Sequence, residues 1–295
     1  MIGAITGVLA SRTDATPITL IPFTVDNAPA FINPNITTIS FTVNTGPGFT
    51  NPTSTTIPFT VNNNPAPTTD PYWSSVTLLV DASNETNNTT PSTIDVTGKA
   101  PTYHGTTMCK TNQFRFGSSS MYFDGVTTAR CTFADSAAWA MGTGDATWEA
   151  WVRPEGNTGT IRIWISNAAS FGGFFSVQGS SSASNNFYRA VSNGTTTYQG
   201  TGLTISNDAW HHLAIVRQGA NLYGYIDGVG ELSSSSLSGV TLLDSTGAMS
   251  IGSYADADSA LTWKGWIDQV RITKGVARYP NGTSFGIPNG PFPHS

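Results

Sequence analysis

An all-β sandwich is the fold class that these 295 residues predict, on three observations. Short runs of β-branched, aromatic and aliphatic residues recur along most of the chain, punctuated by Gly, Asn, Asp and Pro turn signals. No long segment carries the 3.6-residue apolar period of a helix. Charged residues make up only 11% and aromatics a further 11%, a composition that excludes a disordered chain and predicts a neutral, hydroxyl-rich surface.

Residues 1–72 differ from the rest. They hold four charged residues (Arg12, Asp14, Asp26 and Asp70) and ten of the seventeen prolines, while all eight tryptophans lie beyond them, starting at Trp73. Met1 to Ala10 is mildly apolar but lacks the leading positive charges of a secretory signal, and reads as a short docking arm. A repeat with an eighteen-residue period follows, in which Ile21, Ile39 and Ile57 align. Phe23, Phe41 and Phe59 align next, then Val25, Val43 and Val61, and then Pro29, Pro47 and Pro65. Each repeat reads as a strand with Ile, Phe and Val on one face and Thr on the other. Proline confines such strands to edges or short ladders, and three of them cannot close a core. The stripe formed by Ile21, Phe23, Val25, Ile39, Phe41, Val43, Ile57, Phe59 and Val61 must therefore meet the rest of the chain, a partner or copies of itself, and docking or oligomerisation is the expectation. In architecture alone the repeats resemble the trimeric β-spiral shafts of viral fibres, so a homotrimer is favoured. Pro65, Pro67 and Pro71 mark a stiff linker, which puts the second region at 73–295.

From Ser75 onward the predicted strands are 76–80, 120–123, 129–133, 147–153, 160–165, 173–178, 196–199, 211–216, 222–226, 248–251 and 265–272. Trp210 to Gly228 is the clearest stretch: two β-rich runs flank the turn Gln218-Gly219-Ala220-Asn221, and Asp227-Gly228 closes the second run with another tight turn. Strict alternation along Lys264–Ile272 would place Trp266, Asp268, Val270 and Ile272 on one side. Trp164, Phe171, Phe174, Phe187, Tyr188 and Tyr198 are expected mostly in the core. Cys109 and Cys131 read as two small buried thiols, although neighbouring strands would permit a disulfide.

Ser120–Gly125, Ala146–Pro154, the Trp210 hairpin and Trp266–Tyr279 together resemble the laminin-G-like, concanavalin A-like jelly roll found in bacteriophage virion proteins, over roughly 73–293. Ile272–Tyr279 is the part most typical of phage members. The resemblance implies an all-β jelly-roll sandwich preceded by a short Pro-rich β-repeat segment. It also implies a place on the virion surface, as a capsid decoration protein or tail fibre, with other virion proteins and a host-surface glycan as partners.

Catalysis has to be tested, because laminarinase-like glycoside hydrolases share this sandwich. Retaining hydrolysis takes two carboxyls about 5 Å apart, and the relevant strand, Thr147–Arg153, carries Glu149 alone. Glu149 is expected to brace strands by pairing with Arg153 or Arg271. His211 and His212 alternate in direction and cannot share one ligand. No Ser/His/Asp ordering or phosphate-cradling loop stands above background, so no catalytic residue and no enzyme activity is expected. A net charge of −5 with no Lys/Arg run argues against nucleic acid, and no apolar stretch is long enough for membrane insertion. The best ligand-binding candidate is the loop Ser253–Trp263: Asp256 and Asp258 could offer oxygens to calcium (Ca2+), and Tyr254 and Trp263 could stack on a sugar ring.

Overall fold

The computed structural model describes residues 5–10, 20–25, 37–41, 57–61 and 68–295, except 93–94, 157–161, 168–174, 179–185, 234–235 and 256–260. The chain divides into two units, Met1–Pro65 and Ala66–Ser295.

In the first unit, β1 (Ile5–Ala10) pairs antiparallel with β2 (Leu20–Val25), and β3 (Thr37–Phe41) with β4 (Ile57–Val61). Among the described residues each ladder has two strands, so both are edges, as proline demands: Pro22 stands opposite Val8, and Pro58 opposite Ser40. Register sets Ile39 across from Phe59 and Phe41 across from Ile57. Val43 lies outside the described residues.

The second unit is a two-sheet sandwich. Its strands are β5 (Val76–Val80), β6 (Pro101–His104), β7 (Met108–Lys110), β8 (Ser120–Asp124), β9 (Arg130–Phe133) and β10 (Ala146–Pro154). They continue with β11 (Arg162–Ser166), β12 (Phe175–Gln178), β13 (Asn186–Ser192), β14 (Thr197–Thr204) and β15 (His211–Gln218). Last come β16 (Asn221–Ile226), β17 (Val229–Leu232), β18 (Met249–Ile251) and β19 (Lys264–Lys274). One sheet runs β17-β16-β15-β10-β19-β8-β7, with β5 also on β19; the other runs β14-β13-β12-β11-β18-β9-β6. Between them lie Trp139, Trp148, Trp164, Trp263, Phe123, Phe133 and Phe187, all buried in one apolar cluster. Cys109 and Cys131 sit in this core on different sheets as unpaired thiols. Burial pushes the Cys109 thiol up to about 12, so it is held as an inert apolar group.

The Trp210 hairpin forms in the predicted register, with Gln218 opposite Asn221 and Gly219 at φ 55 in the turn. The next turn places Asp227 at φ 49 and Gly228 at φ 78, the paired positive values that a tight Asp-Gly hairpin needs.

Strict alternation fails along β19. Trp266 and Asp268 face outward, but Val270 and Ile272 join Ile267 in the sandwich core while Arg271 faces out. The cause is a bulge. The register with β10 shifts between Glu149 and Trp151, and Gln269 takes a left-handed φ of 53, which reverses the parity of every later residue.

A third layer covers the outer face of the first sheet. Phe292 packs with Leu79 and Trp151, while Tyr279 and Phe285 pack on Ala214, Val216 and Tyr225. The Tyr279 and Phe285 rings stack at 3.7 Å and 3°. This C-terminal segment turns an amphipathic sheet face into a second core.

Candidate functional site

The covered sheet face holds Glu149, the acid at issue for sugar hydrolysis, and its ion-pair partners. Trp148, Ala150 and Val152 of β10 enter the sandwich core, so Thr147, Glu149 and Trp151 point outward under the C-terminal segment. Register places Glu149 between Arg271 on β19 and Ala214 on β15. Arg271 Nε donates to Glu149 Oε1 (2.9 Å), and its Nη1 donates to Asp70 Oδ2 (2.9 Å). Arg278 holds Asp70 through Nη1 (2.9 Å) and Nη2 (2.7 Å). The Tyr279 hydroxyl (2.7 Å) and His212 Nε2–H (3.1 Å) both donate to Glu149 Oε2. Both carboxylate side chains are 1% exposed or less.

Burial alone would raise the Glu149 acid, but Arg271, His212 and Arg278 outweigh it and hold the carboxyl well below the usual range. Asp70 is lowered in the same way: burial is opposed by Arg278, the Tyr72 backbone N–H and Arg271. A retaining glycosidase needs one ionised and one protonated carboxyl facing each other across a sugar. Here both carboxyls are ionised, and the Arg271 guanidinium bridges them. The arrangement is a buried clasp in which the Glu149 and Asp70 carboxyls are held by arginines and do not face each other across an open cleft. Glu149 thus pairs with Arg271 and not with Arg153, which donates to Gln113 Oε1 at 2.9 Å and lies 3.6 Å from Asp208.

Asp268 lies on the same face with a different fate. It is fully buried, and its Oδ2 accepts from the backbone N–H groups of Arg115 and Phe116, at 3.2 Å each. Burial, with the nearby Asp81 charge, pushes its acid up to about 7. Beside it, the strained Gln269 is held at both ends, donating to Ser83 Oγ (3.0 Å) and accepting from Phe292 N–H (2.9 Å).

The two adjacent histidines part as alternation requires. His212 is fully buried on the clasp, whereas His211 lies at the end of the sheet. There, His211 Nδ1 is 2.7 Å from Asp227 Oδ2 and Nε2 is 2.7 Å from Ser206 Oγ. Sequence reading found no Ser/His/Asp grouping, yet the fold assembles one. The missed signal was the hairpin register: Leu213 opposite Ile226 brings the Asp227 turn alongside His211.

The stacking role expected of Tyr254 and Trp263 does not match where their rings lie. Trp263 is 0% exposed in the sandwich core, and Tyr254 is 2% exposed against Ile163 and Ala190. A strand-edge aromatic next to a core strand gains more from burial than from standing in solvent. Asp256 and Asp258 lie outside the described residues. Among the described residues, no group of three or more His, Cys, Asp or Glu side chains could hold a metal ion. Trp164 and Phe187 are core residues as expected, and Tyr198 packs against that core partly buried; Phe171, Phe174 and the Tyr188 side chain are not described.

Comparison with solved structures finds the same sandwich in the binding domain of Paraclostridial Mosquitocidal Protein 1. That match has a TM-score of 0.53 and 14% identity, and covers 70% of this chain and 50% of that one. The binding domain of botulinum neurotoxin serotype D matches at TM-score 0.49 and 11% identity, covering 70% of this chain and 49% of that one. Domain 4 of AbnA, an extracellular arabinanase from Geobacillus stearothermophilus, matches at TM-score 0.48 and 18% identity, covering 71% of this chain and 97% of that one. The chain spans about half the length of the toxin binding domains. Likeness at these identities speaks to fold alone. No curated protein matches by sequence. The profile of the concanavalin A-like lectin/glucanases superfamily (Laminin_G_3) matches residues 123–278. That span is more than half of the chain and takes in both β10 and the Trp210 hairpin, so the chain belongs to the concanavalin A-like lectin/glucanases superfamily.

Proposed function

We propose that this chain is an attachment protein of a bacteriophage virion, a capsid decoration protein or tail fibre, whose sandwich binds a host-surface glycan without cleaving its glycosidic bonds. The observation that carries the binding reading is the Glu149 clasp. A superfamily that includes lectins and glucanases is represented here by a sheet face on which Glu149 and Asp70 are both charge-paired and covered. Supporting the virion setting are the Ile272–Tyr279 segment and the repeats at 21–61, whose edge-only ladders suit docking or trimerisation. The loop that carries Asp256 and Asp258 is the proposed glycan contact, with the buried Tyr254 and Trp263 rings anchoring its two ends.

The test is retention of the full chain on immobilised host-surface polysaccharide, with the bound sugar sized afterwards. Retention without shortening of the polymer, weakened by the double change Asp256→Asn and Asp258→Asn, is the expected result. Shortened polymer would restore the glucanase alternative, and no retention on any surface polysaccharide would leave a purely structural cement protein. Immunogold labelling of purified particles tests the setting: label over the head means decoration, label on the tail means a fibre, and unlabelled particles sink the virion reading.

A further inference from the structure

Ser206, His211 and Asp227 form a connected string at one end of the sandwich, and their chemistry is that of an activated nucleophile. Asp227 is held ionised: burial raises its acid, but the bonds from His211 and the His212 backbone N–H lower it below the usual carboxylate range. An ionised carboxylate only accepts hydrogen bonds, so the 2.7 Å contact selects the Nδ1–H tautomer of the His211 imidazole. Nε2 then carries the lone pair, and the Ser206 hydroxyl donates to it across 2.7 Å. Orienting acid, general base and nucleophile therefore stand in their working order.

The fold positions each member firmly. Asp227 sits at φ 49 in the two-residue turn between β16 and β17, and its Oδ1 also accepts from the His212 backbone N–H at 2.8 Å. His211 opens β15, with its side chain 13% exposed. Ser206 follows the fully buried Ile205, and the turn after it is pinned where Asp208 N–H donates to Pro154 O at 2.8 Å. Ser206 itself is exposed. An exposed serine can be satisfied by water alone, whereas a nucleophile needs both a base and access for the substrate.

We infer that Ser206 is the nucleophile of an esterase site for small O-acyl groups, such as acetyl esters borne on an exposed polymer. The open position of Ser206 suits an ester on the outside of a large molecule better than one that must be enclosed. Ser206 Oγ attacks the ester carbonyl carbon as its proton passes to His211 Nε2. The acyl C–O bond breaks, and the departing alcohol takes that proton, leaving acyl-Ser206. Water, deprotonated in turn by His211, attacks the acyl-serine and releases the carboxylic acid with Ser206 restored. This inference is independent of the glycan-binding proposal, because its test uses no glycan.

The test incubates the full chain with p-nitrophenyl acetate, follows p-nitrophenolate release, and locates acetyl groups by peptide mass spectrometry. Acetyl on Ser206 is expected, with release lost in Ser206→Ala. Asp227→Asn, which reverses the imidazole tautomer, should slow release by about 100-fold or more. A purely structural hydrogen-bond string would give no acetyl on Ser206 and equal release from Ser206→Ala. Either finding, or no release above the uncatalysed rate, overturns the inference. Unchanged thermal unfolding of Ser206→Ala shows that the loss is chemical and not a folding defect.

Discussion

Glu149 and Asp268 show how one sheet face imposes opposite ionisation on two buried acids. Glu149 faces two arginines and stays charged; Asp268 receives only backbone N–H groups and keeps its proton to about pH 7. Replacing Glu149 by Gln would leave Arg271 and Arg278 short of a counter-charge, and should cost about 3–5 kcal/mol in a denaturant titration. Because its folded acid lies below 4.5, Glu149 contributes stability above that pH and loses it as the pH falls further. Acid unfolding of the native chain should therefore steepen below pH 4.5, and the Glu149→Gln variant should show a flatter acid limb. Asp268 has the opposite sign. Unfolded, it ionises near 3.8, but folded it does so only at about 7, so stability declines as the pH rises through that window. Asp268→Asn should raise Tm at pH 8, by roughly 2–4 °C per kcal/mol recovered, and change it little near pH 4. Partnership of Glu149 with a neighbouring arginine was legible in the sequence, because the strand held one acid and few cations stood near. The burial of Asp268 was not, since nothing in Ile267-Asp268-Gln269 announces a bulge.

At the level of elements, hairpins read well and irregularities did not. The runs at 211–216 and 222–226 emerged as strands joined by the expected Gly219 turn, because local turn chemistry decides them. β6, β7, β13 and β17 were not among the predicted runs; three of them are only three or four residues long, too few for alternation to show, whereas β13 has seven. The C-terminal layer was invisible for another reason: Tyr279, Phe285 and Phe292 have no repeat spacing, and only the covered sheet explains them. That layer approaches the β16–β17 turn so closely that a Cβ on Gly228 would lie 2.1 Å from Phe285 O, at a φ of 78. Gly228→Ala should therefore cost at least about 1–2 kcal/mol from backbone strain alone. Hydrogen exchange should quicken at Phe285 N–H, which donates to Gly228 O at 3.0 Å.

Across the whole molecule, composition separates residues 1–72 from the rest, since Trp and charge are concentrated beyond Asp70. The structure divides instead between Pro65 and Ala66, and Asp70 is clasped by Arg271 and Arg278 of the second unit. The family followed from four segments that all fall on strands of a single sheet or on the chain leaving it. The placement of Tyr254 and Trp263 was harder to read, because an aromatic beside a core strand looks the same in sequence whether it faces in or out. If the repeats assemble the particle-bound form, the full chain should sediment as a trimer. Changing Phe23, Phe41 and Phe59 together to Ser should return it to a monomer with the circular dichroism of the sandwich intact. A native trimer that survives the change would place assembly elsewhere.

The Asp70 clasp also bears on how the molecule is made. Its ion pairs join residues 201 and 208 positions apart, so the sheet face carrying Trp151 and His212 has no cover while the ribosome is still adding β16 to β19. Until Arg271, Arg278 and Phe292 have emerged, that half-finished sheet presents an apolar, partly charged surface to the cell. Chaperone demand should therefore peak late in synthesis, and slowing translation before codon 271 would lengthen the vulnerable interval.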